Sequence, residues 1–329
     1  MSIERQLSEA FERDARNRIC PPGLDARMAA EYRQLAAQQR GEPFMRSKGK
    51  STKMLLIAII VVVICGFGYA GNKLLFADQK DRLAVHYQTD QQLQLEPSDV
   101  EKIRGSLAAV KGHLAPGDTA VVYLRDYELK IQDTPVVLGI QNPVILQPDS
   151  WRAVLKEHRV KERLPDSLAG GFTLEEGMEG SPYQITFGAD AYRLMDEMKA
   201  ESKETGSRVL WRKSDPPADR PLVPYTSVYR NASQDTIYVT WEVAGGNGDG
   251  DVKVFQAAPP STVYEEIALG GITAHYLRHD QALFGQSRMQ QDVTWLQQSG
   301  DQTIVYHVQS DSETLTKEQL VQAAQGLPR

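Results

Sequence analysis

The sequence predicts an α+β protein with a single transmembrane helix, a short helical cytoplasmic tail before it and an extracytoplasmic antiparallel β-sheet domain with packed helices after it. Three observations lead to this prediction. A run of 19 residues, 54–72, holds no charge and stands between two lysines. Short alternating apolar segments recur from residue 207 to residue 308, as is typical of strands. Apolar residues three or four positions apart, as in 100–110 and 320–324, indicate helices.

The run 54–72 is predicted to cross a membrane as a helix. A helix rises about 1.5 Å per residue and the hydrocarbon core is about 30 Å thick, so about twenty apolar residues suffice. Four basic residues lie between positions 46 and 53, whereas Lys73 alone follows at the far edge. The positive-inside rule therefore predicts a single-pass protein of the cell membrane with a cytoplasmic N-terminus and an extracellular C-terminal domain. A buried core helix and a cleavable signal peptide are the weaker alternatives.

Charge and cysteine content agree with that topology. Residues 1–53 carry a net charge of +4 and the remainder carries −10, which fits a basic tail inside and an acidic domain outside. This topology explains the charge distribution without a nucleic-acid partner. The two cysteines, Cys20 and Cys65, both precede residue 73. The region after the span therefore holds no disulfide and must be stabilised by a hydrophobic core.

The tail, residues 1–53, shows two apolar stripes at helical spacing, separated by Pro21, Pro22 and Gly23, which end a helix. Three interpretations stay open: a weakly ordered tail, helix-in-groove binding to a cytoplasmic protein, and docking on the membrane surface. The candidate partner-binding residues are Ile3, Leu7, Phe11, Leu24, Met28 and Tyr32.

The tail segment LSEAFERDARNRICPPGLDARM resembles the N-terminus of membrane-bound anti-sigma-type regulators. The resemblance implies that the cytoplasmic partner is a sigma factor of RNA polymerase. The zinc-binding motif of the best-known domains of this kind is absent, because the tail has no histidine and only Cys20. A zinc-type domain is therefore excluded.

Residues 73–159 are predicted to form a membrane-proximal α+β segment. The polar stretch 79–94 is expected to continue the span as a helical stalk. Ser98 and Glu101, after Pro97, fit a capping box, which predicts a helix with residues 100, 103, 107 and 110 facing inward. A strand is expected at 120–124, edge strands or extended chain at 135–146 because of its two prolines, and a short helix at 151–160.

Residues 160–329 are predicted to form the main extracytoplasmic α+β domain. Strands are expected at 207–212, 225–230, 236–244, 252–257, 263–268 and 272–277, and the segments 293–296 and 303–308 are expected to form a hairpin. Asp190 is expected to cap one helix, and Thr316 with Gln319 the last one. An antiparallel sheet with helices packed on one face accounts for this order.

The C-terminal segments GGITAHYLRHD and DVTWLQQSGDQTIVYHVQSDSETLTKEQLVQAAQGL resemble the domain of unknown function numbered 4367, as does the upstream segment LPDSLAGGFTLEE. The resemblance covers residues 160–329. It implies an outer domain of the kind found in spore-forming bacteria, often behind an anti-sigma-type tail. It implies no chemistry, because that family has no defined activity.

No catalytic, cofactor-binding or metal site is predicted. His275 and His279 share a predicted strand, about 13 Å apart, which is too far for one metal, and both are expected at the surface. Residues 247–251 resemble a calcium loop but lack its closing glutamate, so a hairpin loop is expected, with weak calcium binding as the alternative. Catalytic and phosphate-binding motifs are absent, so the chain is not expected to be an enzyme.

These observations predict a single-pass membrane regulator. Its outer domain would sense or bind an envelope signal, and its tail would bind a cytoplasmic protein. The alternative is a membrane-tethered envelope-binding or structural protein whose tail has no regulatory function. The bilayer, a sigma factor and an unknown envelope ligand are the expected partners.

Overall fold

A computed structural model describes residues 73–129, 134–160, 163–183, 187–188, 190–215, 222–244, 252–299 and 302–327, and the backbone of 56–58. All of these lie in one unit, Lys53–Arg329. The strands are β1 Leu56–Ala58, β2 Leu74–Lys80, β3 Leu83–Thr89, β4 Thr119–Leu129, β5 Thr134–Gln141, β6 Ser167–Leu168, β7 Phe172–Glu179, β8 Val209–Ser214, β9 Leu222–Arg230, β10 Thr236–Ala244, β11 Val252–Ala258, β12 Val263–Leu269, β13 Ile272–His279, β14 Gln290–Ser299 and β15 Gln302–Ser310. The helices are α1 Pro97–Lys111, α2 Pro148–Glu157, α3 Ala191–Thr205 and α4 Lys317–Gln325.

The large sheet has eight strands in the order β12-β13-β14-β15-β10-β9-β7-β6, and each neighbouring pair is antiparallel. Its strands are rich in β-branched and aromatic residues, which suit a pleated, half-buried surface. The predicted hairpin of residues 293–296 and 303–308 is confirmed, since β14 pairs with β15 and Trp295 faces Tyr306. The strands predicted between residues 225 and 277 are confirmed as β9 to β13.

One face of the large sheet, here called the helix-covered face, packs against α2 and α4. The buried Trp151 and Leu155 of α2 and Leu320 of α4 lie on it, and the rings of Trp295 and Tyr306 stack with centroids 4.9 Å apart. The predicted capping box of α4 is confirmed: Thr316 Oγ1 accepts from Gln319 N, and the Gln319 side chain accepts from Thr316 N. This face holds the main apolar core.

Two smaller sheets lie beyond the opposite side of the large sheet, here called the inner face. The three-stranded sheet β5-β4-β8 is sandwiched between α1 and α3. The sheet β1-β11-β3-β2 has four strands, and its Phe76, Val85 and Val254 pack with Leu296 and Val305 of the large sheet. The inner face therefore lies inside the molecule.

The predicted fold class is wrong. Strands make up 46% of the described region and helices 23%, and the strands form three sheets rather than one sheet with helices on one face. Within the predicted span, Leu56–Ala58 is a strand that pairs in parallel with Val252–Val254 of β11. Short apolar segments occur in strands as well as in lipid-facing helices, so hydrophobicity alone misassigned these three residues.

The transmembrane and single-pass assignments are corrected accordingly. No helix among the residues that the structure describes combines the length and the apolar composition needed to cross a membrane. The remainder of the predicted span, like the tail, lies outside the described residues.

Two local predictions near α1 are also wrong. The expected helical stalk 79–94 is instead the end of β2, strand β3 and a single helical turn at Gln91–Leu93. Helix α1 begins at Pro97 with Glu96 as N-cap and without a side-chain cap, since proline at the first helical position needs no donor partner. Its buried stripe at residues 100, 103, 107 and 110 is confirmed.

Candidate functional site

The inner face carries buried polar side chains where a packed sheet normally carries apolar ones. Side chains alternate between the faces of a strand, so residues that pair across strands share one face. His307 pairs with both Thr294 and Thr240, and Asp292 pairs with Gln309. Burying polar groups is costly unless they are hydrogen-bonded. The buried polar residues of this face include Thr226, Thr240, Glu242, His275, Asp292, Thr294, His307 and Gln309.

His307 lies at the centre of this group between two carboxylates. Its Nδ1 is 2.9 Å from Asp292 Oδ2, and its Nε2 is 3.7 Å from Glu242 Oε2. All three residues are at most 5% exposed. Burial alone lowers the pKa of His307, but the charge of Asp292, the hydrogen bond to Asp292 and the nearby carboxylate of Glu242 outweigh burial and raise the pKa to about 10. The imidazole is therefore protonated at neutral pH.

Several polar atoms of this region have no hydrogen-bond partner among the described residues: Asp292 Oδ1, Gln309 Oε1, Asp311 Oδ1 and the Tyr183 hydroxyl. The other oxygen of Asp292 accepts from Gln309 Nε2 at 3.1 Å. A buried polar atom without a partner costs about 1–3 kcal/mol. Such atoms indicate a place for a ligand or ordered water rather than a packed core.

A second buried histidine joins the large sheet to the smaller sheet that covers it. His275 is 2% exposed, and its Nε2 lies 2.9 Å from Asp78 Oδ2 of β2. The ring stacks on Phe76 with centroids 3.8 Å apart, and Nδ1 lies 3.1 Å from the Tyr264 hydroxyl. The prediction that His275 lies at the surface is wrong, because the sheet containing β2 covers it.

A cleft of about 560 Å³ opens between α1 and the large sheet. Gly105 and Ala108 form its helix wall, and Met178 and Tyr238 lie on its sheet side. Further apolar lining comes from Leu107, Ile140, Pro143, Ile145, Leu283 and Phe284. Arg230 borders the cleft and forms ion pairs with Glu175 at 2.7 Å and with Glu176 at 2.6 Å.

The connection between β13 and β14, residues 280–289, forms one wall of the cleft. Arg104 of α1 donates to the carbonyls of Ala282, Phe284 and Gly285 at 2.9–3.0 Å. On the other side, Asp311 Oδ2 accepts from Gln286 N. Leu283 and Phe284 pack into the core between α1 and the three-stranded sheet. This connection is thus held from both sides.

A smaller cavity of about 150 Å³, here called the tyrosine pocket, lies on the other side of Leu283 and Phe284. Tyr87 of β3 and Tyr183 contribute aromatic rings to it, and Gln290 lines it from the large sheet. The remaining lining residues are Leu93, Leu95, Val136, Leu138, Ala257, Pro259, His279, Gln281 and Ala282.

The six tail residues predicted to bind a partner, Ile3, Leu7, Phe11, Leu24, Met28 and Tyr32, lie outside the described residues, and so does the predicted loop 247–251. His279 lines the tyrosine pocket, and its Nδ1 accepts from Gln281 N at 3.2 Å. Among the residues that the structure describes, no three His, Cys, Asp or Glu side chains are arranged to hold a metal ion.

Comparisons with family models, with curated proteins and with solved structures find no match to this chain. The resemblances to anti-sigma-type regulators and to the domain of unknown function numbered 4367 therefore stay predictions from sequence segments.

Proposed function

We propose that this chain is a ligand-binding regulator, in which the cleft beside α1 binds a small molecule and the tail binds a protein partner. The cleft carries the proposal. Its volume of about 560 Å³ lies within the range of about 300–1,000 Å³ that is usual for small-molecule sites. Its lining joins apolar residues with polar and charged ones such as Glu101, Lys111 and Gln141, and polar groups of this kind orient a ligand in small-molecule sites.

The lining of the cleft favours binding over catalysis. An enzyme site needs polar groups that converge on a reacting atom, with pKa values suited to proton transfer. Arg104 is engaged with three carbonyls and Arg230 with two carboxylates, so both arginines support the walls. His307, whose pKa is raised to about 10, lies outside the lining, whereas Lys111, whose pKa is lowered by burial, lies on the α1 wall.

Two neighbouring alanines of α1 provide the test. Ala108 and Ala109 are both exposed, but only Ala108 lines the cleft. The wild-type protein would be screened by thermal unfolding against soluble metabolites, since a ligand at 100 times its Kd stabilises by about 2.7 kcal/mol. Ala108→Trp should abolish the stabilisation, and Ala109→Trp should retain it. A screen without a stabilising compound, or a compound that stabilises both variants equally, would refute the cleft as the binding site.

The identity of the tail's partner is proposed from sequence resemblance alone, which implies a sigma factor. An envelope signal is proposed as the ligand from the sequence as well. Full-length protein carrying Phe11→Asp should lose a specific partner in a pull-down, because a charge would enter the apolar stripe. Asn17→Asp introduces the same carboxylate on the polar side of that predicted helix and should retain the partner. Equal recovery with both variants would leave the tail without a regulatory role.

A further inference from the structure

The tyrosine pocket has the shape and size of a site for a small molecule. Its volume of about 150 Å³ matches cavities that hold a molecule as large as benzene. The aromatic rings of Tyr87, Tyr183 and Phe284 line it, and they come from three separate parts of the chain. The pocket is distinct from the cleft, because Leu283 and Phe284 form a shared wall between the two.

Oxygen atoms without a hydrogen-bond donor among the described residues lie at this pocket and next to it, since Tyr183 lines the pocket whereas Asp292 and Gln309 do not. The Tyr183 hydroxyl is buried and has no partner among the described residues. Asp292, which is 5% exposed, has an unpartnered Oδ1 and lies two positions after the lining residue Gln290 on the same face of β14. Gln309 Oε1 beside Asp292 is also without a partner. These atoms can accept hydrogen bonds from a bound group or hold its positive charge.

The charged groups around the pocket are mainly acidic. Burial and the nearby charges of Asp311 and Asp292 raise the pKa of Tyr183, and burial with the charges of Asp292 and Glu242 raises the pKa of Tyr87. The charges of Asp292, Glu242 and Asp311 therefore act on these two tyrosines, although burial raises the pKa of Asp311 itself. His307 is paired with Asp292, and the guanidinium of Arg104, which lowers the pKa of Tyr183, is bound to carbonyls.

The remaining basic group at the pocket does not oppose a cation. Burial lowers the pKa of His279 to about 4, so its imidazole is neutral at physiological pH. A neutral imidazole beside aromatic rings adds no repulsion toward a positive charge.

We propose that the tyrosine pocket binds a small organic cation of the alkylammonium class. The faces of tyrosine and phenylalanine rings attract such cations through their quadrupoles, and cages of aromatic rings are the usual protein site for quaternary ammonium groups. The group of Asp292, Glu242 and His307, with two carboxylates and one imidazolium, supplies the negative charge next to the pocket, and the apolar residues of the pocket contact the alkyl groups. This site is independent of the proposed function of the cleft.

The first test compares two probes of the same size on the full-length protein. Tetramethylammonium and tert-butyl alcohol have similar shapes, but only the first is charged. Titrations followed by calorimetry or by NMR of the tyrosine rings should show saturable binding of tetramethylammonium that is at least about 10-fold tighter than that of the alcohol. Equal affinities, or no saturable binding of the cation, would overturn the proposal.

Variants then locate the cation. Tyr183→Phe keeps the ring and should keep affinity within about 3-fold, whereas Tyr183→Leu should weaken binding at least about 10-fold. Tyr192→Leu is the control, since Tyr192 is 65% exposed and remote from the lining. Ala257→Met fills the pocket and should block binding, with circular dichroism reporting whether each variant folds. Binding that survives Ala257→Met in a folded protein would place the cation elsewhere.

The cleft variant separates this proposal from the previous one. Ala108→Trp should leave the affinity for tetramethylammonium unchanged, because Ala108 does not line the tyrosine pocket. Loss of cation binding in Ala108→Trp, with Ala257→Met unaffected, would assign the cation to the cleft instead.

Discussion

The two faces of the large sheet come from the same strands but differ in chemistry. Along β10, Val239 and Trp241 point to the helix-covered face, whereas Thr240 and Glu242 point to the inner face. The helix-covered face gains stability from buried apolar area. The inner face buries charged groups. Compared with apolar residues of similar size, such groups often leave the stability unchanged or lower it. The difference indicates that the inner face is built for a purpose other than stability.

The largest expected effect comes from breaking the helix-covered face with Trp151→Ala. Trp151 is fully buried, packs against the backbone of Gly177 and donates from Nε1 to Ser227 Oγ at 2.8 Å. Its removal leaves a cavity and an unpaired hydroxyl, so the free energy of unfolding should fall by about 3–5 kcal/mol. Urea unfolding measures this loss. Tyr192→Ala, at an exposed position, should change it by less than about 0.5 kcal/mol.

A loss as small as that of the Tyr192 control would mean that α2 is not part of the main core. The helix-covered face would then not be the more stabilising of the two faces.

The second prediction compares two variants of the buried charged group on the inner face. Asp292→Val alone leaves the buried, protonated His307 without its closest carboxylate. The free energy of unfolding should therefore fall by about 3 kcal/mol. Replacing the whole group with Glu242→Met, Asp292→Val and His307→Leu removes every buried charge at once. The triple variant should be as stable as the wild type within about 1 kcal/mol, or more stable. Equilibrium urea unfolding compares the three proteins.

If the triple variant is destabilised as strongly as Asp292→Val, the buried group contributes to stability by itself. The contrast between the two faces would then disappear. If the triple variant is stable but no longer binds tetramethylammonium, the charged residues of the inner face are needed for binding and not for stability.

Sequence patterns predicted much of the secondary structure in the described region. The alternation in β9 to β15 and the capping pair Thr316 and Gln319 depend on neighbouring residues, so they can be recognised without knowing the tertiary fold. The number of sheets could not be recognised in this way. Pairing between β3 and β11, or between β4 and β8, joins residues far apart in the chain, and no local signal specifies it.

The candidate site was missed for the same reason. In β15 the order Tyr306, His307, Val308, Gln309 alternates between apolar and polar residues, as it would in a strand with one solvent-facing side. A polar residue at such a position normally indicates exposure, yet His307 is 4% exposed because other elements cover the inner face. The signal that could have raised the question is the cluster of ionisable residues on inward-alternating positions of adjacent strands, Glu242, Asp292 and His307.

The smallest expected effect is the change in the free energy of unfolding per pH unit above pH 7. It sharpens the comparison because His307 of the inner face supplies it. The folded protein holds the proton of His307 up to a pKa of about 10, whereas unfolded histidine has a pKa of about 6.5. This stabilisation is fully present below about pH 6.5 and is lost as pH rises toward 10. The slope between these values is at most about 1.4 kcal/mol per pH unit.

Urea unfolding of the wild type and of His307→Gln at several pH values between about 7 and 9 measures this slope. His307→Gln should abolish the decline. His279→Gln is the matched control: burial lowers the pKa of His279 to about 4, so this histidine reduces stability only as pH falls from about 6.5 toward 4, and the slope above pH 7 should persist. A wild-type stability that stays constant from pH 7 to 9 would contradict a protonated His307, and it would imply that the carboxylates beside the tyrosine pocket carry the cluster's charge without compensation.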